Sequence, residues 1–175
     1  RLLDVAGGTG DIALRVIGAS GPNANAVICD ISPEMLAGGQ RRVDDAALSD
    51  RITCVEGNAE NLPFENSSFD AYTIAFGIRN VTHIDRALAE AYRVLRPGGV
   101  ALFLEHGSAP DPGVAKWQRR IEPLWKHIAG GCHLTRPIAA AYRDAGFAVE
   151  PGGQRYVPKT PRWVGWIEWG AARAR

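Results

Sequence analysis

Cysteine is scarce in this chain. Cys29, Cys54 and Cys132 are the only three in 175 residues, scattered and odd in number. That argues against a disulfide framework and for a reducing compartment. Long apolar runs are also missing, and none reaches the length of a membrane span. Neither charge dominates. The net charge is +1, so no global field draws the chain to nucleic acid, and no nucleic-acid partner is expected. Methionine is rarest, with Met35 alone. The chain opens at Arg1, inside the apolar segment Leu2-Leu3-Asp4-Val5, without a signal-peptide pattern. What is present is the balance of a soluble globular protein, with 46% hydrophobic and 22% charged residues. The expectation is one cytoplasmic domain over residues 1–175, truncated at its N-terminus.

Short apolar runs alternate with longer amphipathic ones, the pattern of a βαβ array. Strands are expected at Leu2–Val5, Ala26–Asp30, Ile52–Glu56, Ala71–Phe76 and Val100–Glu105. Helices are expected near Asp11–Ile17, Pro33–Val43 and Ile84–Leu95. Ser32-Pro33-Glu34 supplies a capping serine, a proline at the first helical position and an acid in the first turn. Arg96-Pro97-Gly98-Gly99 should stop the third helix. After Gly107 the texture changes. Ala109–Gly113 reads as a linker and Val114–Ala129 as a helix. That helix carries Trp117, Leu124 and Trp125 alongside Lys116, Arg119, Arg120 and Lys126. A helix near Arg136–Ala145, a strand at Phe147–Val149 and a closing strand at Val164–Trp169 should follow.

Asp4-Val5-Ala6-Gly7-Gly8-Thr9-Gly10-Asp11 joins the first strand to the first helix. Glycines there allow a sharp turn and close approach of a ligand. In a doubly wound sheet ligands bind at the carboxyl ends of the strands, so a cofactor belongs at this turn. Asp30 ends the second strand, where a carboxylate can accept two hydrogen bonds from a ribose diol. These features fit two cofactors, because Gly8–Ala13 also matches the dinucleotide fingerprint. NAD would set a pyrophosphate at the N-terminus of the first helix, against the carboxylate of Asp11. S-adenosylmethionine carries a sulfonium and an ammonium instead, and Asp4 and Asp11 suit it better. A plain tight turn with Asp11 capping a helix is the bland alternative.

Leu3–Asp11 (LDVAGGTGD), Asp30–Leu36 (DISPEML), Gly57–Phe64 (GNAENLPF), Phe76–Val81 (FGIRNV) and Tyr92–Gly99 (YRVLRPGG) occur in this order. Together they resemble the ubiquinone/menaquinone biosynthesis C-methyltransferase family, over residues 1–104. The resemblance implies a Rossmann-like class I methyltransferase fold of the α/β class. Its sheet would be mostly parallel, with helices on both faces and an antiparallel closing strand. It also implies S-adenosylmethionine as cofactor. By position Ala6, Gly8, Thr9 and Gly10 should line its methionine part, and Asp30 with Ile31 its ribose. Asn58 and Ala59 should border the adenine, with Ala75 and Phe76 beside the cofactor. Family members often have serine where Ala75 stands, which leaves only backbone contact there. Ala6 replaces the glycine of the general superfamily turn. Residues 105–175 look more like methyltransferase type 11 proteins, so the chain reads as a hybrid joined near Ala101–Gly107, with its acceptor side in the second half.

The implied reaction is carbon methylation of a lipophilic quinol. The cofactor supplies the activated methyl, and the protein positions the nucleophile. A cation beside the phenolate, or a base, would help. Arg79 is the candidate cation, with a pairing to a surface acid as the structural alternative. His106 and His133 are candidates for a base or an acceptor contact, or for ordinary loop hydrogen bonds. His83 and His127 fall on expected helices. Cys132-His133 lacks a second ligand pair at zinc spacing, so no metal is expected. Trp117, Trp125, Trp163, Trp166 and Trp169 all lie in the second half. They suit core packing, an apolar acceptor pocket or a peripheral membrane contact. Other acceptors stay open (a small thiol, a phenol or a lipid). So do an inactive cofactor-binding fragment and a nicotinamide-dependent oxidoreductase.

Overall fold

The computed structural model describes residues 1–175. The chain runs β1 (Leu2–Val5), α1 (Asp11–Ala19), β2 (Ala26–Asp30), α2 (Pro33–Asp45), β3 (Ile52–Glu56) and β4 (Phe69–Ala75). It continues through α3 (Ile84–Val94), β5 (Leu95–His106), α4 (Pro112–Ile128), α5 (Ile138–Asp144), β6 (Ala148–Tyr156), α6 (Arg162–Gly165) and β7 (Trp166–Arg173). The sheet has seven strands in the order β3-β2-β1-β4-β5-β7-β6. β7 runs antiparallel to both its neighbours, and the pairs from β3 across to β5 are parallel. The chain starts in the middle of the sheet, walks out to β3 and returns to β4. The strand order therefore reverses between β1 and β4, where a doubly wound sheet opens a crevice.

Strand alternation sends neighbouring side chains to opposite faces. Leu3, Val5, Val27 and Cys29 join Leu88 and Ala91 of α3 and Ile138 and Tyr142 of α5 in one core. Leu2, Ala26 and Ile28 meet Ala13 and Ile17 of α1 and Leu36 and Val43 of α2 in the other. Helices thus cover both faces, as expected. α2 starts as its sequence predicts, with the Ser32 hydroxyl accepting from the Met35 N–H.

The first three strands lie where the pattern puts them, and the boundaries drift later. β4 spans Phe69–Ala75 rather than Ala71–Phe76, because Phe76 turns to φ +54°. β5 reaches back through Pro97-Gly98-Gly99 to Leu95, which pairs with Phe69 across a bulge. β6 was expected only at Phe147–Val149, yet it continues to Tyr156 past Pro151-Gly152-Gly153. It is an edge strand with a register shift there, which is where proline and glycine are tolerated. Arg162–Gly165 forms the short helix α6, so β7 starts at Trp166 and runs on to Arg173 between β5 and β6. No helix is long and apolar enough to cross a membrane.

Candidate functional site

The crevice between β1 and β4 holds a cavity of about 390 Å³, the size of a small-molecule pocket. Val5 and Ala6 close it from β1, Asp30, Ile31 and Met35 from β2 and the start of α2, and Gly57–Glu60 from the loop after β3. Phe76, Gly77, Asn80, Val81 and Thr82 complete it from the loop after β4.

The backbone around this cavity is tightly constrained. Ala6 has φ +50° and Phe76 has φ +54°. Each costs about 1–2 kcal/mol for a side chain other than glycine, and such strain gathers at ligand sites. The two strand ends approach so closely that a β-carbon on Gly77 would lie 2.5 Å from the Ala6 β-carbon. A β-carbon on Gly57 would meet the Cys29 sulfur at 2.8 Å.

Asp30 is held for use. Its Oδ2 accepts from Gly8 N at 2.8 Å and its Oδ1 from Ser32 N at 2.9 Å. Each oxygen keeps a lone pair for a ligand hydroxyl. The Asn58 Oδ1 accepts from Glu60 N at 2.9 Å, leaving the amide nitrogen free to donate. Ile31, Met35 and Phe76 are exposed apolar side chains at the mouth. Glu60 ties the lip down, its Oε1 accepting from Thr82 N at 2.7 Å and His83 N at 2.9 Å. Asp30 therefore fits a ribose diol and the apolar mouth fits a planar adenine, the parts of S-adenosylmethionine that the residues lining the cavity match.

Of the expected cofactor residues, Ala6, Asp30, Ile31, Asn58, Ala59 and Phe76 line the cavity. Gly8, Thr9, Gly10 and Ala75 do not. Gly8 acts through its N–H on Asp30. Thr9 faces α2, where Arg42 donates to both its carbonyl and its hydroxyl at 3.0 Å. Gly10 is the left-handed residue before α1. Met35, Glu60, Gly77 and the Asn80–Thr82 edge were not foreseen, since only the fold brings them to the crevice.

The charge argument drawn from Asp4 and Asp11 does not hold. Asp4 is buried beneath the turn, accepting from Thr73 Oγ1 at 2.7 Å and Ala13 N at 3.2 Å. Burial pushes its carboxyl up to about 6. Asp11 points outward and pairs with Arg15 at 3.0 Å and Arg42 at 2.9 Å. Neither carboxylate reaches the cavity.

Behind the post-β4 loop lies a buried polar cluster. Glu105, at 0% exposure, accepts from Ile78 N at 2.7 Å and stands 3.5 Å from Arg79. Burial raises its carboxyl to about 7 against the opposing pull of Arg79. Arg79 does not line the cavity, but its guanidinium sits 5.1 Å from the ring of Phe76, which does. Its partner is thus a buried acid, not the surface acid of the structural alternative. Its Nε and Nη1 make no hydrogen bond within the chain. His106 lies against the Cys132 sulfur at 3.4 Å and does not line the cavity. Burial, aided by Arg79, lowers its imidazole to about 4, so it is neutral at physiological pH. His133 lies 3.3 Å from Glu122. His83 stands at the N-cap position of α3 without a side-chain capping bond, and His127 is exposed. Arg136 donates to the carbonyls of Ile78 and, at 2.6 Å, Val81, and His133 N donates to Arg79 O at 3.1 Å. The second half of the chain therefore sets the loop that carries Arg79. The cysteines are all free.

The profile of the ubiE/COQ5 methyltransferase family matches residues 1–118. The chain belongs to this family. The ubiE/COQ5 match runs past the join expected near Ala101–Gly107 and ends inside α4. The ubiquinone/menaquinone biosynthesis C-methyltransferase UbiE of Bartonella tribocorum is 54% identical over 129 residues, covering 74% of this chain and 48% of that protein. The chain thus spans about half the length of that curated relative. Among solved structures, the YcgJ protein of Bacillus subtilis superposes with a TM-score of 0.84, covering 100% of this chain and 92% of that one at 16% identity. A SAM-dependent methyltransferase from Methanosarcina mazei gives 0.78, covering 98% and 91% at 18% identity. At such identities the likeness is one of fold, and the fold is that of class I methyltransferases.

Proposed function

We propose that this chain is the catalytic domain of an S-adenosylmethionine-dependent C-methyltransferase acting on a lipophilic quinol of ubiquinone/menaquinone biosynthesis. The observation that carries the proposal is the ubiE/COQ5 match, which spans every strand that builds the crevice. The cavity chemistry supports it from below. Asp30 would take the ribose hydroxyls, Asn58 and Ala59 would border the adenine, and Ile31, Met35 and Val81 would supply apolar walls. When bound, the cofactor supplies an activated methyl group.

The chain's own part is to hold the acceptor carbon in line and to favour its nucleophilic form. A quinol carbon becomes nucleophilic when a neighbouring phenol loses its proton. Arg79 is the cation available for that phenolate, because Glu105 holds its Nη1 from behind at 3.5 Å while the side chain stays one-fifth exposed. Neutral His106 is a second polar group in the same shell, its Nδ1 unpartnered. The apolar and basic surface of α4 supports a peripheral membrane contact.

Calorimetric titration with S-adenosylmethionine and, separately, NADH tests the cofactor reading. Binding of the first and none of the second is expected. NADH binding alone would move the chain to the oxidoreductases. Turnover on a short-chain quinol against a small thiol then tests the acceptor, with thiol preference refuting the quinol assignment.

A further inference from the structure

We infer that the outer face of α4 is a docking surface for an anionic lipid bilayer, which brings the crevice rim to the membrane. The inference rests on the lipophilic acceptor proposed above and names where that acceptor comes from.

α4 has two unlike sides. Its inner side serves the fold. Gln118 is buried, accepting from Ala109 N at 2.9 Å and donating to the carbonyls of Gly107 and Trp163. Glu122 turns inward to accept from Leu134 N and Thr135 N, both at 2.8 Å. The outer side has no such partners. Trp117, Ile121, Leu124 and Ile128 follow the spacing of one helical stripe. Trp117 is 50% exposed, Leu124 69% and Ile128 71%. They border a wholly apolar groove of about 210 Å³, completed by Trp125 and Trp163, whose rings meet edge to face at 4.9 Å.

Charge selects the occupant. Lys116 and Arg120 run along one flank of the stripe, while Arg119 and Lys126 lie on the opposite side of the helix. All four are exposed and meet no carboxylate. The one acid within α4, Glu122, is turned inward. The surface is therefore apolar and of one sign. A second copy docked on it would bring like charges together, whereas anionic headgroups complement it. Tryptophan beside such a stripe suits the headgroup level.

Position supplies the link to function. The turn after α4 returns to the crevice, with a β-carbon on Gly131 placed 3.5 Å from the carbonyl of Asn80, which lines the cavity. An α4 lying in the interface would set that rim beside the bilayer, and a lipophilic acceptor would enter without crossing water.

The test is sedimentation of the whole chain with vesicles of phosphatidylcholine, alone or mixed with phosphatidylglycerol. Binding to the mixed vesicles is expected, weakening as salt rises. The exposed substitutions Trp117→Ser, Leu124→Ser and Ile128→Ser together should lower it about tenfold or more. Lys116→Glu with Arg120→Glu should remove the preference for anionic lipid. Wild-type protein that binds neither vesicle, or a triple variant that still binds, overturns the inference. So does self-association of the wild type that the triple variant abolishes, which would make the face a self-interface. S-adenosylmethionine titration of every variant runs alongside. Intact cofactor binding with no vesicle binding sinks the surface alone, and lost cofactor binding in the wild type sinks the methyltransferase reading.

Discussion

Replacing Glu105 by glutamine should change how stability depends on pH, by an amount the structure sets. Glu105 is fully buried, and its carboxyl titrates near 7 rather than at the ordinary 4.5. The folded protein therefore keeps the proton in a range where the unfolded chain has released it. Stability from this group is present below about 4.5 and is lost as pH rises toward about 7. At about 1.4 kcal/mol per pH unit, that window corresponds to about 3 kcal/mol. Glutamine keeps an oxygen for Ile78 N and cannot ionise. Protonated glutamate and glutamine are near isosteres, so the two proteins should be of similar stability at low pH. Near pH 8 the variant should be the more stable by about 3 kcal/mol. Asp4, raised by burial like Glu105, and His106, lowered by burial, also titrate, in opposite senses. Both remain in the variant, so their effects cancel in the difference between proteins. Urea unfolding of both proteins at the two ends of the window measures it. A difference that stays constant across the window within about 1 kcal/mol would refute the reasoning.

Other outcomes follow from the same geometry. Asp30→Ala removes the acceptor of Gly8 N and Ser32 N together with the proposed ribose contacts. S-adenosylmethionine affinity should fall about a hundredfold by calorimetry, from charge-assisted bonds of about 1.5–3 kcal/mol. Arg79→Ala should slow quinol methylation about 10²–10³-fold, with cofactor affinity within a few-fold of wild type. Unchanged turnover defeats its assignment to the phenolate. Gly77→Ala forces a β-carbon to 2.5 Å from Ala6. It should cost about 1–3 kcal/mol in thermal or denaturant unfolding and weaken cofactor binding. An unaltered melting temperature with normal binding would mean that the two strand ends yield more easily than their packing implies.

The parallel half of the fold was legible because its signals are local. Leu2–Val5, Ala26–Asp30 and Ile52–Glu56 are short apolar runs bounded by turns, and Ser32-Pro33 starts a helix in any context. The C-terminal strands were less legible. Pro151-Gly152-Gly153 reads as a turn, yet it lies in an edge strand whose bulge accepts it and whose glycines admit the ring of Trp169. In the site, Asp30 and Asn58 were readable, since Asp30 ends β2 and Asn58 follows two residues after the end of β3, both at the crevice. Asp11 was misread because its sequence position says nothing about Arg42, thirty-one residues away, which turns its carboxylate outward.

The sequence by itself determined the βαβ order, the glycine-rich turn and the family motifs, because propensity, capping and strand alternation act between near neighbours. Tertiary structure alone decided which residues share a surface. It closed β1 against β4 so that Gly77 meets Ala6, and it buried Glu105 beside Arg79. It also turned Glu122 inward, leaving the cations of α4 without partners. The physical reason is that ligand chemistry and surface charge depend on distances across the fold, and chain connectivity sets those only once the sheet has formed.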